Sequence, residues 1–264
     1  PVIAGTIDAA AEAVSVGVLD SGDMMVMYGS TIFTILLGDT RLRDKRLWWA
    51  PWLMPGQHAA LAGLATSGTL SHWFRDQFAR ELDPATAIQA LVAEAEQSPP
   101  GARGLVLLPY FSGERTPIHD PQAKGALFGL NLTHSRGDIC RAVFEGIACG
   151  TAHIVETYRE AGQVPRAVYS VGGGTRNRVW SQATSDISGH SQILRQKTFG
   201  ASYGDAFLAA LAVGDVQPGD IRAWNPTASE ITPDPAQAEL YRRQFGVFKE
   251  LYPATRDLMR RLDG

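Results

Sequence analysis

The feature that most constrains this chain is three consecutive glycines, Gly172, Gly173 and Gly174, set between an apolar run and a helix-like run. Residues 167–171 read as a short buried strand. Residues 176–187 read as a helix, with Val179, Ala183 and Ile187 on one face. A strand, a bare glycine turn and a helix start let a ligand lie against backbone, because no Cβ holds it off. The same glycines equally serve a plain tight connection, and taken alone they leave the two readings level.

Strands and helices alternate through the rest of the sequence. Asp8 heads an alanine-rich stretch and stands where a helix N-cap belongs. Residues 24–28 and 32–37 are β-like and joined by Gly29-Ser30-Thr31, which predicts a hairpin. Such a tip offers backbone N–H and hydroxyl donors to a phosphate, or closes an ordinary turn. Short strands and loops are expected in the Trp- and Pro-rich residues 41–57. Helices are expected over 67–82 and 84–96, the second with Ile88, Leu91, Val92 and Ala95 at helical spacing. Residues 105–108 read as a buried strand, and 109–117 as an irregular loop. Ser135 to Asp138 fits a capping box ahead of a long helix over 138–161. In it, Gly146 and Gly150 mark a point of close packing. A strand at 191–194, an alanine-rich helix over 201–213 and a final amphipathic helix, with Leu240, Phe245, Phe248, Leu251, Leu258 and Leu262 as its apolar positions, complete an α/β domain with a mixed sheet.

Several function classes are excluded at this level. A net charge of −3 with no clustered basic face gives no expectation of a nucleic-acid partner. No run of about 18 apolar residues predicts a membrane span. Residues 1–20 lack the basic and apolar blocks of a signal peptide. Cys140 and Cys149 fall on nearly opposite sides of one predicted helix, so they read as small buried hydrophobes. That usage makes a reducing compartment, the cytoplasm, the default. None of the four lysines follows a glycine, which excludes a Walker A loop. The dinucleotide fingerprint fails because Asn177 stands where its last glycine belongs. No histidines have metal-ligand spacing, and no metal site is expected within the chain.

One ordered set of motifs goes further. Gly125-Ala126-Leu127-Phe128-Gly129-Leu130 is followed by Asp138-Ile139 and by Ala142-Val143-Phe144-Glu145. Upstream lies Leu108-Pro109-Tyr110-Phe111-Ser112-Gly113-Glu114-Arg115-Thr116-Pro117. Downstream, the triple glycine is followed by Asn177, Trp180, Gln182 and Asp186-Ile187-Ser188-Gly189. In these residues the chain resembles the FGGY family of carbohydrate kinases, and within it the xylulokinases. The likeness runs from Ala4 to the final helix.

The resemblance implies an actin-like ATPase (ribonuclease H-like) fold, a mixed β-sheet flanked by helices. It implies that residues 1–264 form a single C-terminal nucleotide-binding domain whose N-terminal sugar-binding partner domain lies outside the chain, which opens without Met. ATP and Mg²⁺ are the implied cofactors and a sugar, a pentulose such as D-xylulose, the implied acceptor. Asp8 falls at the family's catalytic aspartate, where a carboxylate takes the proton of the attacking hydroxyl. Ser30 and Thr31 fall at its phosphate-contacting turn, either of them supplying the hydroxyl. Gly68 falls at a nucleotide contact, whereas His72 departs from the Gln of glycerol kinases. Gly172, Gly173, Gly174 and Asn177 fall at the adenine site. Glu114 and Arg115 read as a salt-bridged loop anchor rather than a contact across the cleft. Other FGGY acceptors (ribulose, glycerol or another polyol) and a non-catalytic actin-like nucleotide-binding module are the alternatives. The face that meets the other domain is expected to be exposed, or used in a homodimer.

Overall fold

The computed structural model describes residues 2–262. Pro1, which the sequence reads as the start of a short extended piece over residues 1–5, lies outside them, and residues 2–7 carry no regular structure. The strands are β1 (Asp23–Tyr28), β2 (Ile32–Gly38), β3 (Trp48–Pro51), β4 (His58–Leu64), β5 (Val106–Leu108), β6 (Ala126–Phe128), β7 (Ala167–Val171), β8 (Gln192–Arg195) and β9 (Thr227–Ile231). Seven of them form one sheet in the order β3-β4-β2-β1-β7-β8-β9, while β5 and β6 form a separate antiparallel pair. The pairs β1–β7 and β7–β8 are parallel and the others in the large sheet antiparallel, so the expected mixed sheet is present.

Register places the interesting turns. Tyr28 pairs with Ile32, which closes the predicted hairpin on Gly29, Ser30 and Thr31. Met27 pairs with Val171 in the parallel ladder, so β1 and β7 finish side by side. The hairpin tip and the triple glycine therefore emerge at the same end of the sheet.

The side-chain alternation of β1 sorts the helices into two layers. Met24, Val26 and Tyr28 face a core shared with α2 (Gly68–Phe78), α3 (Ala87–Gln97), α4 (Arg136–Glu160) and α5 (Arg178–Ser188). Met25 faces the opposite core, with Ala10, Ala13 and Val14 of α1 (Asp8–Ser15) and Phe207 of α6 (Ala201–Val213). A short α7 (Ile221–Trp224) adds Ile221 to that second core, and α8 (Ala238–Arg260) packs Phe248 and Leu251 on β5.

The long helix α4 forms as expected behind a full capping box at Ser135 and Asp138. Its two glycines are packing sites. A Cβ on Gly146 would stand 2.5 Å from the Leu107 carbonyl oxygen, and one on Gly150 would stand 2.8 Å from Leu64 Cδ1. Cys140 and Cys149 are buried and unbonded on this helix and belong to different cores, in line with their predicted opposite directions.

Four local expectations are corrected. Asp8 is not an N-cap: Ile7 occupies that position, and Asp8 Oδ1 accepts from the adjacent Ala9 N–H, at 2.7 Å. The helix after the triple glycine starts at Arg178, because a short 3₁₀ turn, Gly173–Arg176, intervenes. The α2 helix ends at Phe78, since Ala79 has left helical geometry. The final helix ends at Arg260, leaving Leu262 outside it and exposed. Strand β4 lies beyond the stretch where strands were expected. It is rich in alanine and glycine, residues depleted from strands. Close packing requires them: a Cβ on Gly63 would stand 2.6 Å from the Ile32 carbonyl oxygen.

Candidate functional site

The hairpin tip is bolted to the start of α2. Ser67 N–H and Thr69 N–H donate to the Ser30 carbonyl at 3.1 and 3.2 Å, and Gly68 N–H donates to the Gly29 carbonyl at 3.0 Å. The Ser67 and Thr69 hydroxyls donate to the same two carbonyls at 2.9 and 3.0 Å. The two segments approach so closely that a Cβ on Gly68 would stand 2.5 Å from the Gly29 oxygen. Ser30 is left exposed at the tip, while Thr31 is half-buried.

The three glycines have three separate structural roles. Gly172 has φ of +92°, and a Cβ there would also press within 2.5 Å of the Tyr28 carbonyl oxygen. Gly174 packs against the Trp180 ring, which itself meets Tyr28 edge-on with centroids 4.9 Å apart. Gly173 has open space where a Cβ would be. Below them, the Tyr28 hydroxyl donates to Gln192 Oε1 at 2.5 Å, and Ser170 donates to the same oxygen at 2.7 Å. Asn177 caps α5, its Oδ1 accepting from Trp180 N–H at 3.1 Å.

These parts border a cleft of about 570 Å³. One side carries Ser30, Gly68 and His72; the floor carries Gly173, Gly174, Asn177 and Trp180. The structure thus brings together Ser30, Gly68, Gly173, Gly174 and Asn177 from three separate stretches of chain. Thr31 and Gly172 are not among the lining residues, so of the two hydroxyls at the tip it is Ser30 that borders the cleft. Asp8 is not a lining residue either. It is exposed at the start of α1, in the helix layer across the sheet. One turn on, burial and then the Asp8 charge push the Glu12 carboxyl upward.

One helix that lines the cleft escaped the sequence reading. It is α3, with Ile88, Gln89, Val92 and Glu96. The stripe of apolar residues expected to pack inward divides. Leu91 and Ala95 are in the core, while Ile88 and Val92 are only half-buried and border the cleft.

Glu114 is an anchor, but no side-chain ion pair to Arg115 makes it one. Its buried carboxylate Oε1 accepts from Ala65 N–H at 2.8 Å and from Arg115 N–H at 2.6 Å. Burial pushes its carboxyl up to about 7 against the pull of these two amides.

The model of the FGGY family of carbohydrate kinases, C-terminal domain, matches residues 24–213. The chain belongs to the FGGY family. This FGGY domain is 31% identical over 265 residues to the xylulose kinase of Escherichia coli (strain K12), covering 98% of this chain and 53% of that protein. It is 27% identical to the gluconokinase of Bacillus subtilis (strain 168), covering 95% of this chain and 51% of that one. Among solved structures, the xylulose kinase of Rhodospirillum rubrum matches with a TM-score of 0.89 at 34% identity, over 96% of this chain and 51% of its own. The actin-like fold expected from the motifs is therefore present. The chain spans about half the length of the curated relatives it matches.

Proposed function

We propose that this domain is the ATP-binding half of a sugar kinase, and that the protein carrying it converts D-xylulose to D-xylulose 5-phosphate. The observation that supports this most is the convergence of Ser30, Gly68, Gly173, Gly174 and Asn177 on one cleft, with bare backbone at Gly173. In this reading a flat purine lies against that backbone, with Val92 also lining the cleft. The phosphates then extend toward Ser30 and the N-terminus of α2, where the helix dipole favours an anion. The likeness to xylulose kinases supports the choice of acceptor.

In this reading Asp8 accepts the proton of the sugar hydroxyl. The hydroxyl oxygen forms its bond to the γ-phosphorus as the bond from that phosphorus to the β-bridging oxygen breaks, and ADP departs. The acceptor, and the N-terminal domain that holds most of it, would approach from the Asp8 side. Among the described residues, no three His, Cys, Asp or Glu side chains converge on a metal position. In this reading Mg²⁺ is carried on the nucleotide phosphates, where it would neutralise their charge. No residue of this chain is assigned to it.

The test is turnover by the intact protein with ATP and a panel of acceptors. D-xylulose is expected to give the highest kcat/KM, by about tenfold or more. The gluconokinase likeness makes gluconate the main competitor. Faster turnover of gluconate, ribulose or glycerol would overturn the narrower assignment. Nucleotide binding with no turnover of any acceptor would make the domain a non-catalytic module.

A further inference from the structure

Strand β3 pairs with β4 only over residues 58–61, so the same edge of β4 is left uncovered beyond Leu61. The segment 114–116 takes up that edge. Thr116 N–H donates to the Gly63 carbonyl at 3.2 Å, and the Glu114 carboxylate accepts from Ala65 N–H at 2.8 Å. A side-chain oxygen here replaces the carbonyl that a neighbouring strand would present. The segment is itself fixed. Glu114 N–H donates to the Asp120 carbonyl at 2.9 Å, and the Thr116 hydroxyl donates to the Arg46 carbonyl at 3.3 Å.

What Glu114 holds is the root of the phosphate turn. Two residues after Ala65, Ser67 begins the set of bonds from Ser67, Gly68 and Thr69 that fixes the Gly29 and Ser30 carbonyls. We propose that Glu114 is a positioning residue for nucleotide phosphates, setting the Ala65–Gly68 connection against which Gly29 and Ser30 are held. This rests on the reading of that turn as the phosphate site. A carboxylate is a costly choice for the place. It is 5% exposed and, among the described residues, forms no salt bridge, and burying a charge is expensive. The amide bond to Ala65 supplies part of the compensation, because charge-assisted bonds are the stronger kind. The loop that carries Glu114 also carries Phe111, whose ring meets that of Trp73 on α2 edge-on with centroids 4.8 Å apart.

The test compares dissociation constants for ATP and adenosine, measured on the protein in the full length its gene encodes. Glu114→Ala is expected to weaken ATP by about tenfold and adenosine by less than about twofold, the loss of one charge-assisted contact. Glu114→Gln keeps an acceptor oxygen for Ala65 and is expected to recover most of the ATP affinity. Gly68→Ala is the control for the turn itself and is expected to reduce ATP binding selectively. If Gly68→Ala changes the ATP-to-adenosine ratio and neither Glu114 variant does, the role of Glu114 is overturned and the turn remains the phosphate site. If Gly68→Ala also leaves the ratio unchanged, the phosphate reading fails and the inference fails with it. A Glu114→Ala variant that weakens ATP and adenosine equally, with no recovery in Glu114→Gln, shows a purely structural role and likewise overturns the proposal.

Discussion

Gly174 lies so close to the Trp180 indole that a Cβ there would stand 2.5 Å from Cζ3, whereas Gly173, one residue earlier, faces open space. The two glycines therefore respond differently to the same added methyl. Gly174→Ala must displace a buried ring and is expected to cost about 1–3 kcal/mol of stability. Gly173→Ala should leave the unfolding midpoint nearly unchanged. Its methyl would project into the cleft, so ATP affinity is expected to fall by about tenfold. Thermal unfolding with and without nucleotide separates the two effects.

Asn177 combines a structural and a proposed binding task. Its Oδ1 caps α5 at Trp180 N–H. Asn177→Ala loses that cap, a change of about 1 kcal/mol, and the thermal midpoint should fall by about 2–4 °C. Asn177→Ser retains a capping oxygen but is too short to reach a purine. It is expected to keep the midpoint while weakening ATP. Calorimetric titration against ATP, alongside the melting curves, checks both.

Much of this arrangement was legible in the sequence because it depends on local chemistry. The hairpin at Gly29 to Thr31, the capping box at Ser135 and the glycines of α4 each carry their reason in their own residues. The family resemblance likewise implied one nucleotide site for Ser30, Thr31, Gly68, Gly172, Gly173, Gly174 and Asn177, and all of these but Thr31 and Gly172 line one cleft. What sequence could not supply was long-range. The helix α3 lines the cleft only because the fold brings it to the same space as Gly173, and nothing within residues 87–97 says so. Strand β4 was obscured by its own packing demands, which required Gly63 where a strand former would read clearly. Glu114 looked like half of an ion pair because Arg115 follows it, but its partners are backbone amides.

Acid should loosen the domain at Asp138. Burial pushes this carboxyl up, but bonds from the Ser98 hydroxyl and from the Ser135 amide and hydroxyl, with the Arg103 charge, outweigh it and hold it at about 2, against 3.8 when unperturbed. A folded-state value below the unfolded one means a contribution fully present above about pH 4 and lost as pH falls toward 2. The size is roughly 1–2 kcal/mol. Asp138→Asn should be less stable by that amount at neutral pH and should lack this part of the acid slope. Denaturant melts between pH 2 and pH 7 measure it.

Residues 1–264 alone should bind nucleotide without transferring phosphate to a sugar, since the proposed acceptor pocket lies mostly in another domain. A coupled ADP-release assay on this chain, with D-xylulose present, is expected to show no sugar-dependent rate. Sugar-dependent turnover by the chain alone would contradict the division of labour proposed for the two halves.

The most direct test of the whole account is a paired measurement on intact protein carrying Asp8→Asn: the dissociation constant for ATP and kcat with D-xylulose. Asp8 does not line the cleft proposed for the nucleotide, so ATP affinity should stay within about twofold, while loss of the proposed base should lower kcat by about 10²–10⁴-fold. Native turnover in the variant would contradict the assignment of Asp8. Lost ATP affinity with unchanged kcat would contradict the separation of nucleotide cleft from catalytic carboxylate on which the account rests.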